Sequence, residues 1–392
     1  MPDVVVVGAG TVGGWAGWFA SRIGARVTVL ERHTAGQGAS SRAAGIVRAQ
    51  GGTPTAVALG RWSIDFYERQ HSLIGTDSGF RRLGYLLLAR TDDEAAEGRR
   101  RVAMQQAEGL DVRWVDPDEA VALNPTLAPG GFVGASYCPI EGCIDPPRNV
   151  RAYGLALQQA GVELRERCEC EELLVEDGRV VGVRAGGEEI ACSRVILTGG
   201  PSLRDTARRL GFNVFAGGAR HQVAVTSPHE AFAGDPLPMV FDVGAGVYWR
   251  QEEDGLLFGW SDPDEHPGEA REVDWSYMER VRAGLAEDVP ATAGLGLRKV
   301  WAATIDYTPD HLPILASPVE GLVIASAAGH GMMWGPAVAS AAAQLSLTGH
   351  TDVVDVSDLG LDRFDDQGRS RLATDPIALP FPAEAQDAPA RG

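Results

Sequence analysis

Gly8, Gly10 and Gly13 stand at the spacing of a turn built to face phosphate oxygens, and the acid Glu31 follows 18 residues past the last of them. A glycine triplet alone is a weak signal. Here it follows the β-branched run Val4 to Val7 and opens a helix-spaced stretch from Trp15 to Arg22. A second strand-like run, Arg26 to Leu30, then closes on Glu31. In that β-α-β context Gly8 permits the tight turn, Gly10 lets backbone approach a pyrophosphate, and Gly13 brings the helix against the sheet, with Val12 in its first turn. Glu31 can accept a hydrogen bond from a ribose hydroxyl and would repel a 2′-phosphate, so the fingerprint points to FAD or NAD rather than NADP. It does not choose between those two.

The elements that must position these residues belong to a chain of 392 residues, enough for two domains or one large domain with an insertion. Helical spacing recurs at Val57 to Gln70, Asp92 to Gly109, Asp145 to Ala160, Glu269 to Glu287 and Pro336 to Leu347. Strand patterns fall at Phe80 to Ala89, Glu163 to Cys170, Leu173 to Val175, Val180 to Arg184, Arg194 to Thr198 and Leu322 to Ala325. From Gly211 to Gly259 the alternation suggests a mostly antiparallel sheet. This order predicts an α/β fold with a discontinuous nucleotide-binding domain (1–80, 145–210, 321–365) and an inserted α+β substrate domain (81–144, 211–320). Residues 366–392 lack periodicity and are expected to form a disordered or extended C-terminal arm.

Lys+Arg 35 against Asp+Glu 53 gives a net charge of −18, which repels phosphate backbones and anionic lipid. Neither nucleic acid nor membrane is therefore expected as a partner. The longest weakly apolar stretch, Gly321 to Leu347, is broken by His330 and by glycines. Pro2-Asp3 runs straight into apolar residues, leaving no charged n-region of a signal peptide. Five cysteines form no CxxC pair and no metal set, which suits a reducing cytoplasm.

The run from Glu31 through Ser40-Ser41-Arg42 to Gly45 resembles the glutathione-reductase-like flavoproteins of the D-amino-acid oxidase superfamily. Further matches are Gly142-Cys143-Ile144-Asp145-Pro146, Thr198-Gly199-Gly200, Arg220-His221-Gln222, Val247-Tyr248-Trp249-Arg250, Thr308-Pro309-Asp310 and Gly329-His330-Gly331. The resemblance extends to about Phe364 and looks nearest to the sarcosine oxidase β-subunit and dimethylglycine dehydrogenase branch. It implies a Rossmann-like FAD-binding domain and FAD as cofactor. Ser40 and Ser41 would hold phosphate oxygens, Arg32 and Arg42 would flank the dinucleotide, and Cys170 would meet the adenine through its backbone. Gly199 and Gly200 would pass close to the cofactor, and Gly329 to Met333, including Met332, would set a helix N-terminus near the flavin pyrimidine edge.

The implied reaction removes a hydride from the carbon next to nitrogen of a small amino acid or N-methyl amino acid, giving an imine that water hydrolyses. Oxygen or another electron acceptor would reoxidise the flavin. By the same resemblance Arg48 would clamp the substrate carboxylate, and His221 and Tyr248 would line the substrate face. An imidazole's ordinary pKa would suit His221 to take the ammonium proton. Arg250 is a second anion candidate, and Trp249, Trp301 and Trp334 are candidate walls of an apolar pocket. Arg42 and Ala303 replace the residues that link flavin covalently in relatives, so noncovalent FAD is expected. Leu257 and Met333 replace two lysines of the monomeric oxidases, which leaves a dehydrogenase as credible as an oxidase. Other readings are a β-type subunit that needs a partner chain, or a hydroxy-acid or alcohol oxidoreductase on the same scaffold.

Overall fold

The computed structural model describes residues 1–260, 262 and 264–377. Its first sheet has six strands in the order Ile314–Ala316, Leu322–Ser326, Arg194–Thr198, Val4–Val7, Val27–Glu31, Glu163–Glu166. All neighbours are parallel except the edge strand Ile314–Ala316. The four valines of the first strand are buried and divide between two cores. Val4 and Val6 face a helical layer, while Val5 and Val7 face the side covered by a three-stranded antiparallel sheet over 170–191. A strand buried on both faces needs no alternation, which is why the run is uniformly apolar. Helices Thr11–Arg22 and Gly335–Thr348 pack on each other in the helical layer.

The second large sheet has eight strands in the order Leu297–Tyr307, Gly217–Thr226, Gly255–Trp260, Val247–Glu252, Met239–Asp242, Tyr85–Ala89, Gly134–Cys138, Arg113–Val115. Only Met239–Asp242 and Tyr85–Ala89 run parallel to each other. This is the expected Rossmann-like α/β fold with an inserted α+β part on a mostly antiparallel sheet.

Several local expectations need correction. Ile314–Ala316, grouped above with the substrate part, pairs with Leu322–Ser326 and so extends the six-stranded sheet. Ile46–Val47 and Arg81–Arg82 both pair with Gly142–Cys143, so a small sheet straddles the expected boundaries near 80 and 144. The pattern over Phe80 to Ala89 resolves into Arg81–Arg82 and Tyr85–Ala89, the latter buried at every residue because Leu86 and Leu88 enter one apolar core and Tyr85 and Leu87 another on the opposite face. The charged helix starts at Trp275 rather than Glu269, because the Asp274 side chain accepts from the Tyr277 N–H and caps it there.

The expected C-terminal arm is corrected as well, at least over 366–377. That segment is tied to the body at a few points, while most of its residues are exposed. Buried Arg363 pairs with Asp310, both fully buried, and the Arg371 N–H returns to the Arg363 carbonyl. Asp375 and Ile377 are buried in turn. The remainder of the arm, 378–392, lies outside the described residues. Among the described residues no helix is long and apolar enough to cross a membrane, and no His, Cys, Asp and Glu group could hold a metal ion.

Candidate active site

A long groove opens at the carboxyl ends of Val4–Val7 and Val27–Glu31 and continues between the two large sheets, the usual place for a dinucleotide in such a sheet. Gly8 turns out of the first strand at φ 97°, and a Cβ there would lie 2.5 Å from the Thr198 carbonyl oxygen. A Cβ on Gly13 would come within 1.8 Å of the Gly8 carbonyl oxygen, so only glycine lets the helix approach the strand this closely. Gly10 itself offers no side-chain cap, and apart from the Thr11 N–H, which donates to Ser40 Oγ, first-turn N–H groups remain for an anionic ligand. The Tyr153 hydroxyl donates to the Ala9 carbonyl (2.8 Å) and Asn149 donates to Thr11 Oγ1 (3.1 Å), fixing this turn from behind.

Glu31 accepts from the Ala9 N–H and the His33 N–H, each at 2.9 Å, one on each carboxylate oxygen. The remaining lone pairs can accept from ribose hydroxyls. Ser40 Oγ accepts from the Thr11 N–H at 2.9 Å, leaving its own O–H to donate to a phosphate oxygen. Arg42 donates to the carbonyls of Gln37 and Gly38, bracing the loop that covers the groove, and Arg32 donates to Ser202 at its rim. Val12, Gly45, Cys170, Gly199, Gly200, Gly329, Gly331, Met332 and Met333 line the same groove. The late helix is assigned from Gly335, and α-type bonds from the Trp334 and Gly335 N–H groups to the His330 and Gly331 carbonyls carry its first turn back to the glycine turn. His330 Nδ1 donates to the Ala328 carbonyl (2.8 Å), and burial lowers its pKa to about 3, so the ring is neutral.

Two expected ligands face elsewhere. Ser41 and Arg250 line a second cavity, behind the 41–44 segment. Arg250 donates through Nε to the Ala44 carbonyl (2.9 Å) and pairs with Glu252, so it braces the covering segment and is not available to a substrate anion. Trp301 does the same through an Nε1 donation to the Arg42 carbonyl (2.8 Å). Trp249 and Trp334 are fully buried in the cores and line neither of these two cavities.

At the inner end of the groove Arg48, His221 and Tyr248 meet Tyr85, Phe241 and Ile377. Arg48 is buried. Its Nη2 donates to the Ile377 carbonyl (3.0 Å), its guanidinium lies 5.9 Å from the Phe241 ring centre, and its Nη1 has no partner among the described residues. His221 Nε2 and the Tyr248 hydroxyl are 2.6 Å apart, with their rings nearly parallel. Burial lowers the His221 pKa to about 4 and raises that of Tyr248, so both are neutral near pH 7. Kept neutral by burial, His221 is better suited to hydrogen bonding with a neutral amine than to taking a proton from an ammonium group.

Sequence reasoning missed four contributors. Tyr85 and Phe241 lie in strands whose buried faces gave no sign of a pocket. Ile377 lies in a tail without periodicity. Glu141 immediately precedes the Gly142 to Pro146 match, and that adjacency was its one available signal. It is fully buried and accepts from the Ala49 and Gln50 N–H groups, fixing the backbone just after Arg48. Burial raises its pKa to about 7.

The glycine cradle, the free helix turn and Glu31 suit an FAD, which Ser40, Glu31 and the backbone from Gly8 to Gly13 would hold. Arg42 and Ala303 line the groove and neither can form a link to flavin, consistent with noncovalent binding. The 4-methylaminobutanoate oxidase (formaldehyde-forming) of Paenarthrobacter nicotinovorans is 29% identical over 381 residues, 94% of this chain and 46% of that protein. This chain thus spans about half of that relative. The sarcosine oxidase subunit beta of Rhodobacter capsulatus is 25% identical over 92% of this chain and 88% of its own length. Among solved structures, L-proline dehydrogenase from P. horikoshii matches with a TM-score of 0.83 at 25% identity, over 90% of this chain and 94% of that one. A family model described as FAD dependent oxidoreductase (DAO) covers residues 3–345. A match of that extent, over a groove already shaped for the cofactor, establishes that the chain belongs to the DAO family of FAD-dependent oxidoreductases.

Proposed function

We propose that this protein oxidises the C–N bond of a small amino acid or N-methyl amino acid, with the substrate carboxylate held by Arg48. The observation that carries this reading is a buried guanidinium that lines the inner end of the FAD groove and makes no ion pair among the described residues, Glu141 acting on it only through space. A buried cation in that position is suited to an anionic ligand. Two relatives bear the names of a methylaminobutanoate oxidase and a sarcosine oxidase subunit, which favours an amine over a hydroxy acid. Placement within the sarcosine oxidase β-type branch, and any need for a partner chain, belong to this proposal.

FAD, when bound, supplies the two-electron acceptor for the hydride. The chain's own residues bind and orient. Arg48 fixes the carboxylate, and the neutral His221 and Tyr248 pair hydrogen-bonds the amine in its unprotonated form. The Tyr85 and Phe241 rings limit water at the reacting carbon. The amine proton leaves to solvent before binding, since transfer from an ammonium to an imidazole with a pKa of about 4 is strongly uphill.

Anaerobic mixing with a panel of amino acids, N-methyl amino acids and hydroxy acids tests the reading. Bleaching of the flavin by one of the amines, with release of the corresponding carbonyl product, is the expected outcome. Bleaching by hydroxy acids alone would assign the scaffold to alcohol oxidation instead.

A further inference from the structure

The C-terminal segment reaches the chamber from the far side of the molecule. Asp375 Oδ1 accepts from the Ile377 N–H at 3.0 Å, and Asp375 Oδ2 lies 3.4 Å from the Gly52 N–H. The Asp375 N–H donates to the Asp310 carbonyl (3.2 Å). The segment is thus fastened to the backbone just after Arg48 and to the buried Arg363–Asp310 pair. A Cβ on Gly52 would fall 2.2 Å from Asp375 Oδ1, so the approach is as tight as the backbone allows. Ile377 is 1% exposed, belongs to one apolar cluster with Tyr85, Phe241 and Tyr248, and lines the chamber.

From this arrangement we infer that Ile377 is the specificity-determining residue of the chamber, setting how much of a substrate can extend beyond its α-carbon. Its carbonyl is the acceptor of Arg48 Nη2 and both residues line the same end of the groove, so a carboxylate held by the Arg48 guanidinium has Ile377 as a neighbour. The first carbons after that carboxylate meet a branched aliphatic wall. Asp375 is the positioning residue that holds the wall in place. The inference rests on the proposed carboxylate role of Arg48.

The test is equilibrium binding of straight-chain carboxylates from acetate to hexanoate to the FAD-loaded protein, read by perturbation of the flavin absorbance. The wild-type chain should bind the short acids and lose affinity as the chain lengthens. In Ile377→Ala the optimum should move to longer acids, with the longest gaining roughly tenfold or more, as removal of pocket carbons allows. Ile377→Val, a milder truncation less prone to misfold, should give a smaller shift in the same direction, and Ile377→Phe should confine binding to acetate. Carboxylate binding with an unchanged length preference in the Ala and Val variants would overturn the role of Ile377 and leave that of Arg48 standing. Absence of carboxylate binding by the wild-type protein would overturn both.

Discussion

On the proposed function, Arg48 is the residue on which substrate recognition turns, because its charge is buried and its Nη1 has no partner among the described residues. Arg48→Ala should raise KM for carboxylate-bearing amines by about 10- to 150-fold, the equivalent of the ~1.5–3 kcal/mol of a charged hydrogen bond. FAD should remain bound, since Arg48 lies at the groove's inner end. Steady-state kinetics beside the flavin spectrum checks both statements. His221, neutral down to about pH 4, leads to a second expectation. The acid limb of flavin reduction should follow the pKa of the substrate amine, so substrates of different basicity should move it and His221→Asn should not. At this scale the phosphate-facing residues were legible because glycine spacing is a direct consequence of backbone approach. Arg250 was not: its type suits an anion site, but only the sheet register shows it braced against the Ala44 carbonyl.

The glycine turn and the helix that follows it act as one element, and Gly13 is its tightest point. Gly13→Val should cost several kcal/mol, on the order of an overpacked core, and the protein should lose FAD on gel filtration. The segment from Arg48 to Gln50 is held by Glu141, whose pKa is raised to about 7. The folded state therefore binds more protons than the unfolded one between the ordinary value near 4.5 and 7, so this group makes stability fall as pH rises through that window. His221 acts in the opposite sense. Its lowered pKa makes stability rise with pH between about 4 and its ordinary 6.5. Glu141→Gln should remove the opposing slope and leave a steeper gain of stability with pH from 4.5 to 6.5, measurable by urea denaturation at a series of pH values. Most element positions could be read from periodicity. The exceptions, such as Tyr85–Ala89 and the start of the helix at Trp275, were set by sheet neighbours and by the Asp274 cap, which pattern alone does not reveal.

The whole molecule brings together pieces from the beginning, middle and end of the chain around one groove. Two layers of information in the sequence made this readable: the β-α-β opening, and matches to a family spread over most of the length. The segment ending at Ile377 was not readable, since a wall formed by an irregular tail leaves no period and depends on the buried Arg363–Asp310 pair that anchors it. Because FAD binds the folded chain at contacts from distant segments, added FAD should raise the unfolding temperature of the cofactor-free protein in proportion to the logarithm of its concentration. On the proposed function, the chamber selects an amine through its carboxylate. The most direct measurement compares anaerobic flavin reduction by the best N-methyl amino acid with reduction by the same amine lacking its carboxyl group. The account predicts reduction by the acid and a rate constant per molar substrate roughly a hundredfold lower for the bare amine. Equal rates for the two would contradict it.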